Sequence, residues 1–295
     1  MDDEPTKSVA ESIRKHPSVA QLRAVTKRKE IPFWISAIFY RKVSIYITWI
    51  FVRWRVSANA ATGLSALAVL TAALLYALAS PAQPALWIVA AILVQAYFIL
   101  DHVDGELARY ERHIGRTHAG MSGLFYDTCC HASDQALFGA VALRQFFDLD
   151  GPWWLAVIGV AFFFPGSIAP WQRYCETLVG YARQNAKEDR IELPAAYGRL
   201  SSLSIKSTAS ETEPKRTTSR WLQQQIVQTI GFPGYLAGLS LCTILDVIPA
   251  MPRIHLMDQE LPYLVLWLIL RSLQASAASV KSTLNYGRRL RSLPG

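Results

Sequence analysis

Charge is scarce in this chain, and the scarcity is informative. Charged residues are 18% of 295, where soluble domains carry roughly a quarter. Hydrophobic residues reach 52%, with nine tryptophans. The charges present cluster between long apolar stretches, which argues against an ordinary soluble domain and for a membrane protein. Cysteine is sparse too. Cys129, Cys130, Cys175 and Cys242 all fall in apolar segments without C-x-x-C spacing, so they are expected to be small buried side chains rather than a redox or metal motif. The first eighteen residues contain no apolar run, and no cleavable signal peptide is expected. There is no internal repeat and no coiled-coil heptad.

What is present is a series of apolar segments of membrane-spanning length. A bilayer core of about 30 Å asks for roughly 18 to 25 helical residues, and six segments qualify: 62–80, 85–109, 121–146, 153–180, 226–248 and 260–283. Each must be helical, because amides in hydrocarbon have no water to bind. Pro and Gly punctuate the breaks at Ser80–Pro84 and Asp148–Pro152. Lys and Arg crowd the N-terminal arm, the segment around Arg109, Arg112 and Arg116, the loop after Arg183 and the tail, but are missing from 81–84 and 147–152. Six spans with both termini cytoplasmic satisfy this asymmetry. The net charge of +8 then belongs to membrane flanks. Its residues form no single polar face, so a lipid bilayer and not nucleic acid is the expected partner.

Residues 32–54 are apolar but are cut by Arg41 and Lys42. An amphipathic helix lying in the interface, with Trp and Tyr at headgroup level, costs less than two cations at mid-bilayer. A seventh span here would break the charge pattern. The expected organisation is a cytoplasmic arm and interfacial helix over 1–56, a six-helix transmembrane domain over 57–285 with a polar cytoplasmic loop at about 184–225, and a basic tail over 286–295. The fold class is an all-α integral membrane protein.

Ionisable residues inside spans are costly and mark function. The second span ends in Asp101, Asp104, Gly105, Ala108 and Arg109. The third opens with Gly123, Asp127, His131 and Asp134. Spacings of three, four and seven put Asp101 with Asp104, and Asp127 with His131 and Asp134, on shared helical faces. Several anions gathered at one membrane depth call for a hard cation, Mg²⁺ or Mn²⁺. Gly105 leaves room for a ligand at the helix backbone, Ala108 keeps the next turn small, and Arg109 offers a planar cation to a phosphate oxygen. Metal, a small cavity and a phosphate clamp are the requirements of phosphoryl-type transfer.

The run from Asp101 through Asp104, Gly105 and Ala108 to Arg109, followed by Gly123 and Asp127, resembles the signature of the CDP-alcohol phosphotransferase family, D-x2-D-G-x2-A-R then G-x3-D-x3-D. The first half matches at every position. Asn59 and Thr62, at the start of the first span, resemble a degenerate form of the family's Pro-Asn-x-x-Thr segment, and also fit an ordinary helix start. The sequence departs from the family in two places. The connection between Arg109 and Gly123 is longer and holds His113 and His118, and the fourth acidic position is His131.

The resemblance implies a cytoplasmic-face enzyme of phospholipid biosynthesis, in the inner membrane if the cell is bacterial, and a homodimer. A CDP-linked donor, CDP-diacylglycerol or a CDP-alcohol, would lie on metal held by Asp101, Asp104, Asp127 and His131. The nucleotide would sit against Gly105, Ala108, Arg109 and Gly123, with Asn59 and Thr62 close by. His131 would act as the base, since imidazole can serve as ligand or proton acceptor. Asp134 could compensate for the missing fourth acid, although its spacing is wrong for a direct replacement. Arg173 and Arg183 are either acceptor-phosphate ligands or positive-inside anchors. The alternatives are an inactive relative that binds a nucleotide or a partner, and a cation transporter. A transporter would need ionisable residues continuing across the bilayer, whereas here they stop near one face.

Overall fold

The computed structural model describes residues 17–26, 36–79, 83–116, 121–148, 234–252, 254–256 and 259–275, with isolated positions at 34, 154, 157–158, 160–161 and 277. The expected fourth span, the 184–225 loop, Arg173, Arg183, Cys175 and the tail lie outside these residues. So do parts of the fifth and sixth spans.

Helix α1, Val19–Thr26, opens on a reciprocal cap. The Gln21 amide donates to Ser18 Oγ at 3.2 Å and the Ser18 amide to Gln21 Oε1 at 2.8 Å. A π-turn over Ser36–Tyr40 runs directly into α2, Arg41–Arg53. Helices α3, Ala58–Leu78, and α4, Pro84–His113, follow, then α5, Met121–Asp148. After the fourth-span region come α6, Gly234–Val247, the strands β1, Ile254–Leu256, and β2, Gln259–Leu261, and α7, Tyr263–Ala275. The all-helical architecture holds, with one short exception. The connection near 249–259 carries a two-stranded antiparallel hairpin with His255 opposite Glu260.

Helices α3 and α4 are long and apolar enough to cross a membrane. The 21 residues of α3 extend about 31 Å at 1.5 Å per residue. Each of the first three expected spans is a helix: the first begins four residues early and ends two short of its sequence bounds, and the second and third run a few residues past theirs. Ser57 caps α3 by accepting from the Ala60 amide at 3.2 Å, and α4 continues to His113 because nothing before Gly115 stops it.

The burial pattern of α3 is inside out. Apart from Tyr76 near its end, its buried face is built of smaller residues, with Ala61, Ser65, Ala68, Val69 and Ala72, while Leu64, Leu67, Leu70, Leu74 and Leu78 point outward. Leu67 is 61% exposed. Small residues let α3 approach α4 and α5, its two main neighbours, as in helix packing within lipid, where large apolar side chains have no reason to turn inward. Ile88, Val89 and Ile92 of α4 are exposed in the same way. The shared core runs between α3, α4, α5, α6 and α7 through Tyr76, Phe98, Phe138, Tyr235 and Leu268.

Helix α2 follows the same inverted rule. Ser36, Tyr40, Ser44 and Thr48 recur every four residues and face α4, where they meet His102, Gln95 and Glu106. Ile38, Phe39 and Tyr46 face out. Asp246 at the end of α6 receives the Tyr263 and Leu264 amides at 2.8 and 2.9 Å. It thereby satisfies the unpaired start of α7 from a neighbouring helix.

Candidate metal centre

The C-terminal half of α4 and the N-terminal half of α5 bring Asp101, Asp127 and His131 together. One ligand atom from each lies within 4.8 Å of the others. His131 Nε2 is 3.6 Å from an oxygen of Asp101 and 3.6 Å from an oxygen of Asp127. The i,i+4 spacing of Asp127 and His131 stacks them on one face of α5, as the helical period requires. Asp101 reaches them across the helix pair. Asp127 is the most open of the three, with its side chain 43% exposed against 15% for Asp101, so the cluster has a solvent-facing side.

Asp104 is set differently. Its carboxylate is buried, and Oδ2 accepts from Thr62 Oγ1 at 2.7 Å. It belongs to the same charged neighbourhood as Asp101 and Asp127, but it is not in the tight three-residue group. Thr62 therefore has a defined place as the donor that holds Asp104. Asn59, one turn earlier on α3, puts Oδ1 3.5 Å from where a side-chain carbon at Gly123 would stand. The two α3 residues thus touch both halves of the acidic motif. Gly105 and Ala108 sit half-buried on α4. Arg109 directs Nε to the Thr26 carbonyl at 2.9 Å, which ties α1 to the site and commits part of the guanidinium to structure.

Asp134 does not reinforce the cluster. Its Oδ2 accepts from Tyr235 Oη at 2.6 Å and from Tyr97 Oη at 3.5 Å, and its Oδ1 receives the Gln135 amide. With both oxygens taken and only 3% exposed, it is a buried acceptor behind His131 and not a ligand in front of it. Cys130 is buried beside these residues as a free thiol, and Cys129 and Cys242 are also free. His113 is exposed at the end of α4, and His118 lies outside the described residues.

Two features have only weak sequence signals. Glu106 is buried on α4, where Ser44 and Thr48 donate to its two oxygens at 2.8 and 2.6 Å. Its presence in an apolar span was a signal. Its partners, on another helix, gave none. The second is a cavity of about 190 Å³ between the α2–α3 turn and the end of α4. It is lined by Arg55, Ser57, Asn59 and Arg116 among others. Both helix ends close with the bond pattern that uses a left-handed residue, Arg55 at φ 58° and Gly115 at φ 75°. The basic residues beside the cavity are thereby fixed at two tight turns.

Two carboxylates and an imidazole converging from two helices form an oxygen-rich set of the kind that Mg²⁺ or Mn²⁺ accepts. The residues present fit a divalent cation. No protein-family model matches the chain, and no curated protein matches it in sequence. The function is therefore argued from the site's own chemistry.

Proposed function

We propose that this chain is a six-span integral membrane protein, with both termini cytoplasmic, that acts as a CDP-alcohol phosphotransferase of the type its acidic motif resembles. It moves a phosphatidyl or phospho-alcohol group from a CDP-linked donor to an acceptor hydroxyl and releases CMP. The observation that carries this reading is the convergence of Asp101, Asp127 and His131 between α4 and α5, with Asp104 held beside them by Thr62.

The inside-out faces of α2, α3 and α4 support the membrane setting, because exposed leucine stripes of this length are stable only against lipid or another apolar partner. The cavity bearing Arg55 and Arg116 supports a phosphate-bearing ligand nearby. Asn59 lines that cavity and also borders Gly123, so a nucleotide reaching from one to the other would pass along the acidic cluster.

Asp101 and Asp127 would hold a divalent cation, with Asp104 available to it, leaving the Nε2 lone pair of His131 to take a proton. When bound, the ion neutralises diphosphate charge and stabilises the leaving phosphate. The chain's own groups do the rest. His131 Nε2 faces the carboxylates and accepts the acceptor hydroxyl's proton. The hydroxyl oxygen bonds to the β-phosphorus as the bond from that phosphorus to the CMP oxygen breaks. The packing of α3 against α4 and α5 fixes the positions of these groups.

The test is CMP release by purified protein in lipid, supplied with CDP-diacylglycerol or a CDP-alcohol and Mg²⁺ or Mn²⁺. Metal-dependent release is expected from the wild type. Asp127→Asn and His131→Ala should each lose at least about a hundredfold, in the range of a lost general base. Metal binding without CMP release from any CDP-linked donor would instead identify a non-catalytic relative.

A further inference from the structure

The two tight turns beside the cavity are built alike and differ in one residue. At the end of α2 the Arg55 amide donates to the Val52 carbonyl at 3.1 Å, and the Val56 amide to that of Phe51 at 2.9 Å. At the end of α4 the Gly115 amide donates to Arg112 at 3.2 Å, and the Arg116 amide to Glu111 at 2.8 Å. Both closures need one left-handed residue, and glycine is the residue that takes this conformation without strain. Gly115 fills the place on α4, at φ 75°, but on α2 it is filled by Arg55, at φ 58°. A long cationic side chain kept in a strained conformation points to a role for that side chain.

Arg55 lines the same cavity of about 190 Å³ as Arg116, so two helix ends each deliver one cation to it. Neither arginine forms an ion pair among the described residues. Glu111, the acid in the cavity wall, gives an oxygen to the Ala58 amide at 3.2 Å. Ser57 accepts from the Ala60 amide, which leaves its hydroxyl proton to donate. The start of α3 adds the positive end of a 21-residue helix, with Ser57 and Asn59 at the cavity. Positive charge and donors thus outweigh the one acid. Arg53 is set differently, with its guanidinium 5.7 Å over the Trp49 ring, and the exposed Trp54 indole suits headgroup depth.

We infer that this cavity is a binding site for a phosphate group, held between Arg55 and Arg116 and separate from the metal cluster. None of Asp101, Asp104, Asp127 and His131 lines it. Guanidinium forks match phosphate oxygens in pairs. Two sources of the phosphate fit the place. One is the headgroup of an anionic phospholipid, which basic pockets at cytoplasmic helix ends hold, and the other is a small soluble phosphate ester. The membrane setting of the site rests on the function proposed above, and its binding chemistry does not.

The test uses the full chain in phosphatidylcholine nanodiscs, without metal or CDP-linked donor. Calorimetric titration with inorganic phosphate and with glycerol 3-phosphate reads the soluble source. Native mass spectrometry with added phosphatidylglycerol reads the lipid source. The wild type should bind at least one of these probes. Arg55→Gly and Arg116→Gln should each weaken that binding at least about tenfold, as expected for a lost charge-assisted hydrogen bond. Binding of either soluble probe assigns the soluble ester, and phosphatidylglycerol retained in preference to phosphatidylcholine assigns the lipid.

Arg55→Gly should also melt at or above the wild type, because glycine relieves the left-handed backbone, so weaker binding there is not a folding defect. Arg53→Gln is the control. It removes a neighbouring cation and should bind like the wild type. A wild type that binds none of the three probes, or affinities unchanged in both cavity variants, would overturn the inference. So would an equal loss in Arg53→Gln, which would mark a diffuse basic surface. CMP bound with the same dependence on Arg55 and Arg116 would give the cavity to the nucleotide and overturn it as well. Because neither metal nor donor is present, absent CMP release would sink the proposed function and leave this result standing.

Discussion

Position 104 shows how a single hydroxyl divides the work between two similar acids. Asp101 and Asp104 are three residues apart on α4, yet one joins the cluster and the other turns to Thr62. A buried carboxyl group left without a hydrogen bond is costly, and Thr62 supplies that bond from α3. Thr62→Val keeps the shape and removes the donor. It should lower thermal stability in detergent by about 1–3 kcal/mol, the range for a buried polar group left unsatisfied, and Thr62→Ser should restore most of the loss. Equal melting of Thr62→Val and wild type would show that the bond has no energetic role.

The i,i+4 pairing of Asp127 with His131 was readable because the helical period alone creates it. The diversion of Asp104 and the enclosure of Asp134 were not. Their partners, Thr62, Tyr97 and Tyr235, come from other helices, and no spacing rule reaches across a tertiary contact.

At the scale of the element, α2 and α3 turn ordinary amphipathicity around. On α3 the leucines are outside and, Tyr76 apart, the buried residues are small, β-branched or hydroxylated, and on α2 and the turn before it the hydroxyls line the protein-facing side. Composition and the break at Arg41 and Lys42 pointed to a helix at 32–54. They did not reveal that its polar stripe would be the packed face, since periodicity gives the faces but not which neighbour claims them.

This arrangement predicts an outcome opposite to that for a water-soluble helix. Leu67→Lys adds a cation to an exposed position. In water such a surface change is almost neutral. Against lipid it should cost about 3 kcal/mol, seen as a fall in the membrane-inserted fraction or in melting temperature in nanodiscs. A Leu67→Lys protein that inserts and melts like the wild type would place α3 away from hydrocarbon.

For the whole molecule, the lengths of α3 and α4 and the uneven spread of Lys and Arg were legible early, because span length and loop charge are local properties. The small hairpin at Ile254–Leu261 was missed, since its strands are only three residues each and adjoin Pro252 and Pro262. The proposed topology puts Gln83 on the outer side and Arg116 on the cytoplasmic side. In intact cells a membrane-impermeant maleimide should label Gln83→Cys but reach Arg116→Cys only after permeabilisation. The reverse pattern would invert the protein and move the acidic cluster to the outer face.

The central claim is that side chains from α4 and α5 hold one divalent ion between them. Its most direct test is Mn²⁺ titration of the purified protein in lipid, followed by electron paramagnetic resonance, for wild type, Asp101→Asn and Asp127→Asn. Saturable binding by the wild type, weakened at least about tenfold in each variant, is the predicted result. Mn²⁺ binding that is absent from the wild type, or unchanged when either aspartate is neutralised, would contradict it.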